Sequence, residues 1–307
     1  MILCCGEALI DMLPRTATSG EAAFAPHAGG AVFNTAIALG RLGVRTGFFS
    51  GLSDDFLGQM LTDALTASGV ASDLSVRSGR PTTLAFVRLV AGQARYAFYD
   101  EGTAGRSLSP ADLPGLPDDV QAMFFGGISL VGEPCGESYE GLMQRAAPGR
   151  LTMLDPNIRP GFIRDEGRYR ARLARMIALA DIVKLSDEDL HWLDGPGEVD
   201  ALARGLLARG PKLVLVTLGA EGAWGFSGTH AVFAPAKKVQ VADTVGAGDT
   251  FNAGVLAALD RAGVLTKAAV GALTSAQIRA ALDLGIAAAA VTVSRPGANP
   301  PWARELA

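Results

Sequence analysis

Four stretches of this chain are largely apolar and show no polar alternation: MFFGGISLV (123–131), LTMLD (151–155), DIVKLS (181–186) and KLVLVTLG (212–219). A strand with one wet face alternates apolar and polar residues. Strands with no alternation are buried on both faces, which places them in a parallel sheet covered by helices on either side. Helical patterns lie between the runs, at EGRYRARLARMIALA (166–180) and EVDALARGLLARG (198–210). The alternation predicts a doubly wound α/β architecture. With 307 residues, such a chain buries about 75% of the surface it exposes when unfolded and needs no disulfide or metal to fold.

One region departs from that pattern. RPTTLAFVRLVAGQARYAFYDEG (80–102) contains two strand-like runs around Ala91-Gly92-Gln93, with no room for a crossover helix. It reads as a hairpin exposed on one side. LIDMLPR (9–15) is a further extended stretch that joins it, so a small antiparallel sheet is expected to protrude from the main domain.

Composition removes several function classes. Lys+Arg number 27 and Asp+Glu 31, a formal net charge of -4, which leaves no footprint for nucleic acid or an anionic membrane. The cysteines, Cys4, Cys5 and Cys135, have no CxxC spacing and read as reduced core thiols of a cytoplasmic protein. His27, His191 and His230 share no metal-ligand spacing. The segment MILCCGEALI lacks the early positive charge of a signal peptide. LGIAAAAVTV (284–293) is about half a bilayer span. No Gly-Lys pair of a Walker loop occurs, nor a complete dinucleotide fingerprint, nor a G-x-S-x-G elbow.

The stretch carrying most chemistry is QVADTVGAGDTFNAGVLAAL (240–259). A strand-like QVAD leads into Gly246-Ala247-Gly248 and Asp249. Phe251, Val255, Ala258, Leu259 and Ala262 then mark one face of a helix that ends at Gly263. Small residues opening a helix let an anion approach its first backbone N–H groups. On these local features Asp249 reads equally as a first-turn carboxylate favoured by the helix dipole and as a reactive group beside an anion site.

DTVGAGDTF (243–251) resembles the C-terminal signature of the ribokinase-like, or PfkB, carbohydrate kinases, and HAGGAVFNTAIALGRLG (27–43) resembles their N-terminal signature. The likeness extends from CGEALIDMLP (5–14) to VSRPGA (293–298). It implies a three-layer α/β/α domain with a mainly parallel sheet, formed by residues 1–10, 29–79 and 101–307. A small β lid of residues 11–28 and 80–100 accompanies it. It also implies ATP and Mg2+ as cofactors, with Asp249 as catalytic base and Gly246, Ala247 and Gly248 as the anion hole. A carboxylate of ordinary pKa, about 3.9, is ionised at neutral pH and needs no shift for that task. Asp11, Gly29, Gly30 and Asn34 match positions that hold sugar hydroxyls, a task for paired acceptors and donors. Read without the resemblance, Asp11 is a strand-end turn former and Asn34 a polar residue early in a helix. LDPNIRP (154–160) follows a buried strand at the end where open α/β sheets bind ligands, and Arg159 there is expected to face the sugar or the phosphoryl group, the alternative being a surface Arg on a Pro-braced turn. Thr217, Gly219 and Gly222 match the nucleotide loop.

The chain departs from the family in two places. Ser186-Asp187-Glu188-Asp189 stands where relatives have Asn-x-x-Glu; Ser186 is assigned to the nucleotide region and Asp189 to Mg2+ through water, with the direct ligands open. Ile286 replaces an Asn near the adenine. Asp243 and the Val245 carbonyl are candidate K+ ligands, as in some relatives. GEALIDMLP, RYAFYDEGTAG, GISLVGEP and KLSDEDL resemble the bacterial fructokinase branch, which implies transfer of phosphate from ATP to D-fructose, giving fructose 6-phosphate. A 2-keto-3-deoxygluconate kinase is the alternative, with Arg88, Arg95 and Tyr99 as donors to its substrate's carboxylate. A nucleoside or aminoimidazole riboside kinase follows, then a non-catalytic sugar-binding regulator. A homodimer through the lid is expected, with no nucleic-acid or membrane partner.

Overall fold

The structure, a computed structural model, describes residues 1–90 and 93–306, without the side chains of residues 88–96. Ala91 and Gly92, at the expected hairpin turn, lie outside it, as do the side chains of Arg88 and Arg95. The chain opens with β1 (Ile2–Cys5), β2 (Leu9–Thr16), β3 (Ala22–Gly29), α1 (Ala31–Arg41), β4 (Thr46–Phe49), β5 (Gly51–Ser53) and α2 (Phe56–Ala67). Short strands β6 (Val70–Ala71) and β7 (Val76–Ser78) precede β8 (Leu84–Val90) and β9 (Gln93–Tyr99). The second half runs β10 (Ala122–Gly126), α3 (Cys135–Ala146), β11 (Leu151–Asp155), α4 (Glu166–Leu179), β12 (Ile182–Ser186) and α5 (Asp187–Asp194). It ends with α6 (Val199–Leu207), β13 (Leu213–Thr217), β14 (Gly222–Ser227), β15 (Ala231–Pro235), α7 (Ala247–Arg261), α8 (Lys267–Val270) and α9 (Ser275–Val293).

Among the described residues, nine strands form the large sheet in the order β15-β14-β13-β12-β11-β10-β1-β4-β6. All neighbours pair in parallel except β13–β14 and β14–β15. The apolar runs are explained by two cores. Ile2, Cys4, Phe124, Met153, Ile182 and Leu215 face a layer built from α1, α2, α7 and α9. Leu3, Cys5, Phe125, Leu154, Val183 and Val216 face α3, α4, α5 and α6. Adjacent Cys4 and Cys5 therefore fill opposite cores, both as free thiols.

The small sheet has the order β3-β2-β8-β9. It is mixed rather than antiparallel, because β2 and β8 pair in parallel. Ile10 donates its N–H to the Thr83 carbonyl at 2.9 Å, so the two strands leave the large domain side by side and in one direction. Two other expectations change. The apolar run at 123–131 stops as a strand at Gly126 and continues as a short 3-10 turn at Ile128–Leu130, where Gly127 takes φ 71°. QVAD (240–243) forms no strand; Ala242 N–H instead donates to the Val293 carbonyl at 2.7 Å, closing a loop over the end of α9.

Helix α9 has the length and apolarity of a membrane span. It packs on α7, β14 and β15. A Cβ added at Gly254 of α7 would fall 2.6 Å from Gly285 Cα, so two glycines permit the backbones to touch. Ile286 belongs to the core on this side of the sheet.

Candidate active site

The two signature helices meet at their N-terminal turns. α1 starts at Gly30, whose φ of 111° suits glycine, and it has no side-chain cap of its own. Glu7 supplies one from the loop after β1: Oε1 accepts the Ala31 N–H at 3.0 Å, and Oε2 accepts the Ser129 N–H at 3.2 Å. One carboxylate therefore fixes the Gly29-Gly30 turn to the loop after β10. Burial raises its pKa, against the pull of those N–H groups. α7 starts at Gly246 in the left-handed conformation, φ 77° and ψ 3°, again without a side-chain cap. Its first backbone N–H groups and the positive end of its dipole thus open toward the loop.

Asp249, in that first turn, is 8% exposed. Its Oδ2 accepts from Asn34 Nδ2 at 2.9 Å, and its backbone carbonyl accepts from Thr35 Oγ1 at 3.2 Å. Residues 215 positions apart are thereby joined. Burial, the largest cause, pushes the Asp249 carboxyl up to about 7; the Asn34 bond and the Lys184 charge oppose it, while Asp155 and Glu7 add to it. The expectation of an ordinary carboxylate fails here, because desolvation outweighs the single hydrogen bond. Asp11 is likewise lifted by burial, to about 6. A Cβ on Gly29 would lie 2.3 Å from Asp11 Oδ2, so the carboxylate rests directly on that glycine.

Asp155, Lys184 and Asn252, none of which the sequence motifs singled out, form the floor beneath Asp249. Asp155 Oδ2 accepts from Asn252 Nδ2 at 2.7 Å and from Lys184 Nζ at 3.1 Å. All three are buried. Asp155 ends β11, Lys184 lies in the middle of β12, and Asn252 follows the first turn of α7, close to the carboxyl edge of a parallel sheet, where open α/β folds bind ligands. The signal available in sequence was a charged residue in each of two apolar strands, Asp155 in LTMLD and Lys184 in DIVKLS.

Asp243 Oδ1 accepts the Val245 N–H and Oδ2 the Gly297 N–H, both at 3.0 Å. Asp11, His27, Asp243, Val245 and Gly297 line a cavity of ≈ 320 Å³ between the small sheet and the loop before α7. Arg159 is exposed, with Nη1 on the Ile158 carbonyl. Ser186 caps α5: its Oγ accepts the Asp189 N–H at 3.0 Å. Asp189 holds the Ile158 N–H at 3.0 Å and the Ser186 N–H at 3.4 Å, one on each carboxylate oxygen. Thr217 ends β13, and Gly219 (φ 53°) and Gly222 (φ 136°) shape the turn into β14. Among the described residues no group of three His, Cys, Asp or Glu side chains is placed to hold a metal.

Tyr99 does not reach this site. It pairs with Leu84 in register, whereas Phe98 and Asp11 lie on the other face of the small sheet. Its ring packs on Phe86 at 5.5 Å, and the residue is 62% exposed. A second cavity of ≈ 320 Å³ on the Phe98 side is lined by Asp100, Arg106, Glu133, Phe162, Arg164 and Arg168 among others. Its cations are paired: Arg106 with Asp100, Arg164 with Glu101, and Arg168 with Glu133 and Asp165.

A fructokinase of Rhizobium leguminosarum bv. trifolii is 57% identical over 279 residues, covering 91% of this chain and 86% of that protein. The crystal structure of a Xylella fastidiosa fructokinase with bound ATP superposes with a TM-score of 0.90 at 31% identity, covering 99% of this chain and 97% of that one. A Vibrio cholerae O395 fructokinase double mutant, in a form with fructose, ADP and potassium ion bound, gives a TM-score of 0.85 at 25% identity, covering 97% and 93%. Residues 1–304 match the pfkB family carbohydrate kinases. The chain belongs to that family.

Proposed function

We propose that this protein is a fructokinase, transferring the γ-phosphoryl group of Mg2+-bound ATP to a hydroxyl of D-fructose to give fructose 6-phosphate. The observation that carries the reading is the meeting of Asp249 with Asn34 at the uncapped start of α7. There, a base, a sugar-binding amide and an anion-binding helix end share one place. Asp249 takes the proton of the attacking hydroxyl. The N–H groups of Gly246, Ala247 and Gly248 stabilise charge on the phosphoryl oxygens, the main requirement of such a transfer. Asp11, Gly29, Gly30 and Asn34 hold the sugar hydroxyls, and Arg159, in the loop after β11, reaches the sugar or the phosphoryl group.

The nucleotide lies along Ser186, Thr217, Gly219 and Gly222. Among the described residues no cage for Mg2+ is formed, and both oxygens of Asp189 already accept backbone N–H groups. Mg2+ would be held mainly by the ATP phosphates, with Asp189 able to reach it through water, and it would supply charge neutralisation on those phosphates. Asp243 and the Val245 carbonyl are the proposed K+ ligands. Residues 11–28 and 80–100 act as a lid over the sugar, and residues 1–10, 29–79 and 101–307 form the core. The three buried thiols suit a cytoplasmic enzyme.

A coupled ADP-release assay tests the reading, comparing fructose with 2-keto-3-deoxygluconate, ribose and a nucleoside. Fructose preferred tenfold or more in kcat/KM supports it; preference for another sugar removes the specificity, and unchanged kcat in Asp249→Asn removes the mechanism. The acid-sugar alternative loses one of its intended donors, since Tyr99 faces away from Asp11. That outward face carries Pro14, Phe24, Phe86 and Tyr99, with Phe24 49% exposed and stacked edge-on to Phe86 at 5.1 Å. An apolar sheet face of this kind suits a second copy of the chain, and dimerisation through it is part of the proposal.

A further inference from the structure

Lys184 has no role in the mechanism above, yet its ammonium sits at the centre of the site. We infer that Lys184 is a further catalytic residue, contacting the phosphoryl group as it passes from nucleotide to sugar. The inference rests on the proposed kinase reading.

The geometry comes first. Lys184 lies on β12, on the face packed against α7, and is 4% exposed. Among the described residues its ammonium makes one hydrogen bond, to Asp155 Oδ2 at 3.1 Å. An ammonium has three N–H donors. On another side, a carbon added at Gly248 would come within 3.1 Å of Nζ. The charge therefore reaches from the middle of β12 to the glycine turn whose N–H groups receive the phosphoryl oxygens.

The local charge balance points the same way. Glu7, Asp155, Asp189 and Asp249 are all buried around this point. A triphosphate entering beside four carboxyl groups needs a cation near the reacting phosphorus, and Lys184 supplies one from the protein itself. If the pair with Asp155 served only to tie β11 to β12, a buried ion pair would be a poor means, since apolar residues of similar size do as well. Asp155 also holds Asn252, three residues after Asp249. The carboxylate thus aims both the ammonium and the base-bearing turn at one spot.

In the step itself, the sugar hydroxyl gives its proton to Asp249 while its oxygen bonds to the γ-phosphorus. The bond from that phosphorus to the bridging oxygen breaks, and its electron pair stays on ADP. Lys184 gives up no proton; it stays charged against the phosphoryl oxygens throughout.

The test separates this role from a structural one. Lys184→Met should lower kcat by about 10²-fold or more, the range for losing one preorganised charge-stabilising donor, with both KM values within about threefold of wild type. Because that variant strands a buried carboxylate, the neutral pair Lys184→Met with Asp155→Asn is measured beside it. A kcat in the double variant at least about tenfold below that of Asp155→Asn alone supports phosphoryl contact; a double variant equal to Asp155→Asn alone, or recovered to within about threefold of wild type, overturns it. A second readout needs no change at the site. The chain has five lysines, so ¹⁵N-lysine NMR resolves them, with Lys→Arg at Lys212, Lys237, Lys238 and Lys267 giving the assignment. The Lys184 Nζ signal should shift on adding ADP with beryllium fluoride, and not with ADP alone; no difference between the two overturns the inference. If wild type phosphorylates no sugar, the kinase reading has failed, and the NMR arm still decides whether Lys184 meets a phosphoryl mimic.

Discussion

Replacing Asp249 by Asn should lower kcat by orders of magnitude and, above neutral pH, make the protein more stable. Asn keeps an oxygen to accept the Asn34 amide, so the substitution removes a charge and leaves the contact. In the folded chain burial moves this carboxyl from an ordinary 3.8 to about 7. Between those two values the folded state binds a proton that the unfolded state has lost. The stability this contributes is fully present below 3.8 and is withdrawn as pH rises through 7, at about 1.4 kcal/mol per pH unit. Going from pH 5 to pH 8.5 therefore costs the wild type about 3 kcal/mol that Asp249→Asn does not lose. For a chain of this length that is about 5 °C in Tm. Asp11 titrates nearby but is present in both proteins, so it cancels in the difference. Urea denaturation of both proteins at the two pH values, without ligands, measures the gap. A gap that is equal at pH 5 and pH 8.5 would refute the reasoning, because Asp249 would then carry no buried charge. In the coupled assay the same variant should lose about 10²–10⁴-fold in kcat, the usual worth of a general base.

Four further outcomes are expected. Wild-type kcat/KM should rise through an apparent pKa near 7 as Asp249 ionises, and Asn34→Ala, which removes a bond that lowers that pKa, should move the limb to higher pH; a limb that stays in place contradicts the assignment. Glu7→Gln sets an amide N–H₂ against one of the two backbone N–H groups that Glu7 accepts, so sugar KM should rise about tenfold, as for loss of one charge-assisted bond, while nucleotide KM stays constant. Gly246→Ala must hold φ at 77° with its new carbon 2.8 Å from Ala298 Cβ; thermal unfolding should show a loss of about 1–3 kcal/mol, together with reduced kcat. Phe24→Asp with Tyr99→Asp, on the exposed face of the small sheet, should turn a dimer into monomers by analytical ultracentrifugation, and a wild type that sediments as a monomer at micromolar concentration defeats that part of the proposal.

The architecture was legible because it rests on local patterns. Apolar runs without polar alternation require a sheet covered on both faces, and Cys4 and Cys5, one in each core, show that requirement at single-residue resolution. The Gly-Ala-Gly turn and the helix after it were also visible, since a left-handed start and an apolar stripe are properties of neighbouring residues. The strand expected at 240–243 failed because backbone partners decide a strand, and here the Ala242 N–H finds Val293 instead.

What the sequence could not state was which polar residues share a space. Asn34 meets Asp249, and Asp155 gathers Lys184 and Asn252, only because α1, α7, β11 and β12 converge in space. The charge state of Asp249 follows from that convergence. Composition sets how many carboxylates a chain has, but burial, which depends on the whole tertiary packing, sets where each one titrates. Chain pattern thus determined the layers, and the tertiary structure alone gathered four buried carboxyls and a lysine against the glycine turn of α7.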